Sequence, residues 1–168
     1  TTFPTKKSSS PDGFTDESNQ VFKGELMSIF QTLQKTEDER TLRATAKILE
    51  EKTANIILIG DEATVKADAE KYGVNIDGAR IINPETSDKL EEYVNTLYEL
   101  RKAKGMTPEA AREALLSDRT TFGVMVLKTG GADGLVSGAC HSTANTLRPA
   151  LQILRTAPGA KLVSGFFI

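Results

Sequence analysis

Between Gly130 and Gly159 the chain reads GGADGLVSGACHSTANTLRPALQILRTAPG, and within it Ser142, Thr143, Asn145, Thr146 and Arg148 have the types and spacing of an anion site. Ala132 to Val136 reads as a short buried strand behind a glycine turn, with Ser137-Gly138 carrying the backbone off the sheet edge. Ser142, Thr143, Asn145 and Thr146 are four possible caps for a helix that continues through Leu151, Ile153 and Leu154. A helix start presents unpaired N–H groups and the positive end of its dipole, so a phosphate there is favoured before any side chain acts. Arg148 adds a planar fork suited to a phosphate or carboxylate.

Two neighbouring residues invite other chemistry. Cys140 beside His141 has the composition of a thiolate–imidazole pair. Adjacent residues seldom face one another in a helix or strand, however, and a cysteine after Gly-Ala reads as a small packing residue. His141 reads as a loop hydrogen-bonding group or a pocket-lining side chain. It is the sole histidine, which argues against a metal site.

The elements needed to position these residues follow an alternating pattern. Thr36-Glu37-Asp38-Glu39 reads as a capping box opening a helix with Leu42, Ala46 and Leu49 on its apolar stripe. Asn55 to Ile59 follows as a buried strand ending at Gly60. Asp61 then caps a helix carrying Val65, Ala69 and Tyr72, closed by Gly73, and Ala79 to Ile82 gives another strand ending at Asn83-Pro84. A helix from about Ser87 to Lys104 presents Leu90, Tyr93, Val94, Leu97 and Leu100 on one face, with Arg101 beside that stripe. Thr107-Pro108-Glu109 starts a shorter helix, and Phe122 to Lys128 reads as helical and largely buried. The expected fold class is α/β, a three-layer α/β/α arrangement with a mostly parallel sheet. Ligands of such sheets bind beyond the carboxyl ends of the strands, where the loop from Ser137 to Asn145 falls.

Composition narrows the function. A formal net charge of −2, with acidic and basic residues mixed along the helices, argues against a nucleic-acid surface. The single cysteine excludes an internal disulfide framework, and no apolar run has the length of a membrane span, so no membrane role is expected. Residues 1–20 are polar and turn-prone and read as a disordered tail.

Several motifs resemble one family in order. DGLVSGA from Asp133, HSTANTLRPALQIL from His141 and TAPG from Thr156 look like the signature of phosphate acetyltransferases. EDERTLRATAKILE from Glu37, IILIG from Ile56, INP from Ile82 and YELRKAKGMT from Tyr98 resemble the same family, so the resemblance runs from about Thr36 to Ile168. It implies a cytoplasmic acyltransferase that passes an acetyl group between coenzyme A and phosphate, with acetyl phosphate as the other substrate and no tightly bound cofactor. It also implies that Arg101 and Arg148 match arginines holding the anionic substrates, with Ser142, Thr143 and His141 beside them.

The resemblance further implies that residues 21–168 form an amino-terminal α/β domain, incomplete relative to the family's two-domain subunit and ending near the start of the second domain. The catalytic carboxylate and its neighbouring serine and arginine would then lie in a carboxyl-terminal half, leaving this chain with reduced or no activity alone. Members of the family resemble homodimers. Phosphate butyryltransferase and a non-catalytic acyl-CoA-sensing domain, as in malic enzymes, are the alternative readings. Two departures stand out. Asn145 occupies a position where relatives usually carry Asp, and the stretch from Ile29 to Lys35, before Thr36, lacks their strand ending in Pro-Glu.

Overall fold

A computed structural model describes residues 38–137 and 142–156 in full and residues 28–31 as backbone. The expectations for residues 1–20, for Cys140 and for His141 lie outside the described residues. Four strands, β1 (Ser28–Gln31), β2 (Asn55–Ile59), β3 (Arg80–Ile82) and β4 (Gly134–Val136), form one wholly parallel sheet in the order β3-β2-β1-β4. Six α-helices connect them among these residues: α1 (Glu39–Glu51), α2 (Glu62–Tyr72), α3 (Leu90–Arg101), α4 (Pro108–Ser117), α5 (Arg119–Lys128) and α6 (Thr143–Ile153).

β2 shows why three layers form. Its alternate residues Ile56 and Leu58 bury into one cluster with Leu42 of α1 and Val65 and Ala69 of α2. Ile57 and Ile59 bury into the opposite cluster, with residues from α3 to α6. A strand covered on both faces is apolar along its whole length, which is why NIILI reads as a continuous run. From β1 the chain winds outward through α1 to β2 and through α2 to β3. It then crosses beneath the sheet through α3, α4 and α5 to reach β4 on the other side of β1. The winding direction therefore reverses between β1 and β4, and a crevice opens at the carboxyl ends of strands at such a reversal.

Local chemistry sets most boundaries. Asp61 caps α2 by accepting from the Thr64 N–H at 2.9 Å, and Gly73 ends it with a φ of 63°. Thr107 caps α4 through the Ala110 N–H with Pro108 in the first turn. Other boundaries depart from expectation. The cap of α1 is Asp38, which accepts from the Arg40 N–H, rather than Thr36, because a short carboxylate one residue before the helix reaches the free donors directly. Thr41 and Thr45, rather than Ala46, complete the covered face around Leu42. α3 starts at Leu90, three residues later than expected, since Ser87 and the preceding turn accept the first N–H groups. The expected helix from Phe122 opens earlier, at Arg119. β4 is shorter than the expected strand and is not buried: it is the outer strand among the described residues, and Val136 is 48% exposed.

α5 ends in a turn that tolerates no side chain. Gly130 takes a φ of 77°, and the Gly131 N–H donates back to the Val126 carbonyl at 2.9 Å. A methyl group on Gly131 would lie 2.6 Å from Val126 Cγ1 and 3.2 Å from its carbonyl oxygen. Gly131→Ala is accordingly expected to cost about 1–3 kcal/mol, read as a lower urea midpoint at unchanged slope.

Candidate functional site

The reversal between β1 and β4 brings two helix starts together. Asp118 caps α5, accepting from the N–H groups of Thr120 and Thr121 at 3.0 and 3.3 Å and from the Thr121 hydroxyl at 2.6 Å. The Thr120 hydroxyl lies 3.4 Å from that of Ser137, the first residue after β4, so the end of that strand is tied to the first turn of α5. Ser142 caps α6 by accepting from the Asn145 N–H at 3.2 Å, while its carbonyl accepts from the Thr146 hydroxyl. Of the four possible caps the shortest hydroxyl side chain at the turn takes the role.

Between these helix starts lies a cleft of about 300 Å³. Asp118 and Thr121 line it from α5, Asn145, Arg148 and Gln152 from α6, and Leu97 and Met106 form apolar wall. Asn145 and Arg148 stand three residues apart on one helix face, as the 3.6-residue turn requires. Helix geometry leaves the N–H groups of Thr143 and Ala144 without intrahelical acceptors. Arg148 is exposed and makes no ion pair among the described residues. A guanidinium without an ion-pair partner among the described residues, in a cleft between two helix starts, is suited to binding an oxyanion.

The structure places Ser142 and Thr143 at the start of α6 and Arg148 about one and a half turns further along it, and of these three Arg148 lines the cleft. It does not bring Arg101 into the same cleft. Arg101 is the last residue of α3 and is half-buried, with its Nε buried and without a hydrogen-bond partner among the described residues. Leu97, one turn earlier, and Met106, just beyond it, line the cleft instead. Arg101 thus stands beside the apolar stripe of α3, as its spacing predicts, outside the lining of the cleft that holds Arg148. Asp118, Thr120 and Thr121 went unread as site residues, although Asp-Arg-Thr-Thr before an apolar run carries the signal of a helix cap.

A larger cleft of about 550 Å³ lies by the edge strand β3. Its cations Arg80 and Lys89 are outnumbered by Asp61, Glu62, Asp88 and Glu92, and Lys89 is already paired with Glu92 at 2.7 Å. Hydrogen bonds from the Thr64 N–H and hydroxyl hold the Asp61 carboxyl below its ordinary value, so it stays ionised at neutral pH. This lining repels anions. Among the described residues no three His, Cys, Asp or Glu side chains gather as a metal site, and no helix is long and apolar enough to cross a membrane.

Residues 20–168 match the family described as phosphate acetyl/butaryl transferase. The chain belongs to that family. It is 52% identical to the phosphate acetyltransferase of Acetivibrio thermocellus over 136 residues, which are 81% of this chain and 40% of that protein. The Bacillus subtilis phosphate acetyltransferase is 47% identical, over 78% of this chain and 40% of its own length. Among solved structures, the EutD phosphotransacetylase from Staphylococcus aureus superposes with a TM-score of 0.73 at 42% identity, covering 83% of this chain and 41% of its own. A phosphotransacetylase from Streptococcus pyogenes gives 0.76 at 37% identity, covering 86% and 45%. The chain spans 40% of the length of each of these two phosphate acetyltransferases.

Proposed function

We propose that this chain supplies the phosphate-holding side of a phosphate acetyltransferase active site, as the amino-terminal α/β domain of such an enzyme. The observation that carries the reading is Arg148, without an ion-pair partner among the described residues, in the cleft between the starts of α5 and α6, where the sheet's winding reverses. In the reaction, the thiolate of coenzyme A attacks the carbonyl carbon of acetyl phosphate. The new C–S bond forms as a tetrahedral oxyanion, the C–O bond to phosphate breaks, and acetyl-CoA and phosphate leave; the reverse reaction runs through the same intermediate.

Three tasks follow: a base for the thiol, donors for the developing oxyanion and cations that hold the phosphate in line. The third falls to the residues described here. The N–H groups at Thr143 and Ala144 and the fork of Arg148 would hold the phosphoryl oxygens, with Ser142 fixing the helix start. Arg101, its Nε buried and without a hydrogen-bond partner among the described residues, would take a second anionic group, such as a coenzyme A phosphate. Asn145 leaves Arg148 without the carboxylate that relatives place there, so its orientation depends on the ligand. His141 would line the loop beside the phosphate. The base and the oxyanion donors are assigned to the remaining part of the polypeptide, and the setting to the cytoplasm, in a homodimer. The names of the relatives favour acetyl over butyryl.

Acetyl-CoA formation from acetyl phosphate and coenzyme A tests the reading. We expect no turnover by this chain alone and turnover when it is assembled with the remaining part of a relative such as the Acetivibrio thermocellus enzyme. Turnover by the isolated chain would place a working base within it and overturn that division of roles.

A further inference from the structure

Two hydroxyls at the mouth of the crevice hold one more hydrogen than they use between them. Thr120 is fully buried in the first turn of α5, yet its hydroxyl takes no part in the helix cap: Asp118 accepts from the Thr120 N–H and from the N–H and hydroxyl of Thr121. The Thr120 hydroxyl instead faces that of the half-buried Ser137, 3.4 Å away. Either oxygen can donate in such a pair, and burial decides between them. With Ser137 as donor, the Thr120 hydrogen would be sealed in the core with no acceptor among the described residues, and a buried donor left unmade costs more than the hydrogen bond contributes. With Thr120 as donor, the buried group is satisfied and the leftover hydrogen belongs to Ser137, the member of the pair that solvent reaches.

Ser137 follows Val136, which is in register with Gln31, the last residue of β1. It therefore stands just beyond the carboxyl ends of the two strands between which the winding reverses, where sheets of this kind take their ligands. Thr121, the neighbour of its hydroxyl partner, lines the cleft that holds Arg148. We propose that Ser137 is a further anion-binding residue, donating its hydroxyl hydrogen to a phosphoryl oxygen of the substrate, and that Thr120 is the positioning residue that turns this hydrogen outward. A hydroxyl already oriented by a buried donor loses less freedom when the ligand arrives. The inference rests on the reading that this chain holds phosphate, and it adds a donor from the end of the sheet to the guanidinium and amides of α6.

Isothermal titration calorimetry of the chain with acetyl phosphate and, separately, with inorganic phosphate tests it. Ser137→Ala should weaken both ligands by about tenfold, the loss of one hydrogen bond to a charged group. Thr120→Val keeps the side-chain volume and removes the hydroxyl. It should weaken both by about threefold, the factor for a Ser137 side chain left to choose among three staggered positions, and Thr120→Ser should restore the parent affinity. In the Ser137→Ala background Thr120→Val should cost nothing further, a non-additivity that lost packing alone does not produce. Circular dichroism melting checks that each variant is folded, and Ser137→Ala, at a half-buried strand end, carries the test where Thr120→Val fails to fold. Parent affinity in Ser137→Ala alongside weakened binding by Arg148→Ala would overturn this inference and leave the phosphate-holding reading in place. Parent affinity in both variants, or no binding by the parent chain, would overturn both. A loss toward acetyl phosphate alone would give the hydroxyl to the acetyl carbonyl and overturn the phosphoryl assignment, and additive losses in the double variant would overturn the positioning role of Thr120.

Discussion

Arg148→Ala is expected to weaken binding of acetyl phosphate to this chain by about ten- to a hundredfold, because a charge-assisted hydrogen bond contributes about 1.5–3 kcal/mol. The guanidinium has no ion-pair partner among the described residues, so its removal leaves no orphaned carboxylate and the loss reports on the ligand alone. Arg148→Lys should recover part of the affinity as a point charge without the bidentate fork. Isothermal titration calorimetry with acetyl phosphate reads both variants. Equal affinity for the alanine variant and the parent would remove Arg148 from the site.

The largest stability effect is expected at Phe122. Its side chain is fully buried, and its ring meets that of Tyr93 edge-on, with centroids 5.3 Å apart and planes 71° apart. Phe122→Ala leaves a void that the surrounding Leu115, Val124 and Met125 cannot fill without moving helices, and should cost about 3–5 kcal/mol. Against a total stability of about 5–15 kcal/mol for a typical domain, that loss brings the chain near its unfolding threshold at ordinary temperature. Urea denaturation followed by circular dichroism measures it. A loss below about 1 kcal/mol would show that α5 is not the pillar of the helical layer. Because α5 starts with the Asp118 cap in the site's wall, a loosened Phe122 would also displace one side of the cleft.

The parts of this fold legible in sequence are those specified locally. Asn55 to Ile59 and the Asp61 and Thr107 caps announce themselves through an unbroken apolar run and through side chains that reach donors two or three residues away. β1 was not legible, since Ile29 to Lys35 carries no clear period and a four-residue strand is specified by its neighbours β2 and β4 on either side. The same holds for the site. The α6 start, with its hydroxyl cap and Arg148, was read from spacing. Its opposing wall was not, because the Thr120–Ser137 contact joins residues 17 apart in sequence, from different elements. Arg101 marks the limit of spacing: helical periodicity puts it beside the apolar stripe, while the direction of its side chain depends on how α3 lies against α6, which spacing does not encode.

The central claim is that an anionic substrate sits between the starts of α5 and α6. The most direct measurement is a nuclear magnetic resonance titration of the labelled chain with acetyl phosphate, following backbone amide shifts. Saturable shifts concentrated at Thr143, Ala144 and Asn145 are expected, with smaller ones at Thr120 and Thr121. Shifts centred instead on Asn83, Ser87 and Lys89 in the larger cleft, or none at saturating ligand, would contradict it.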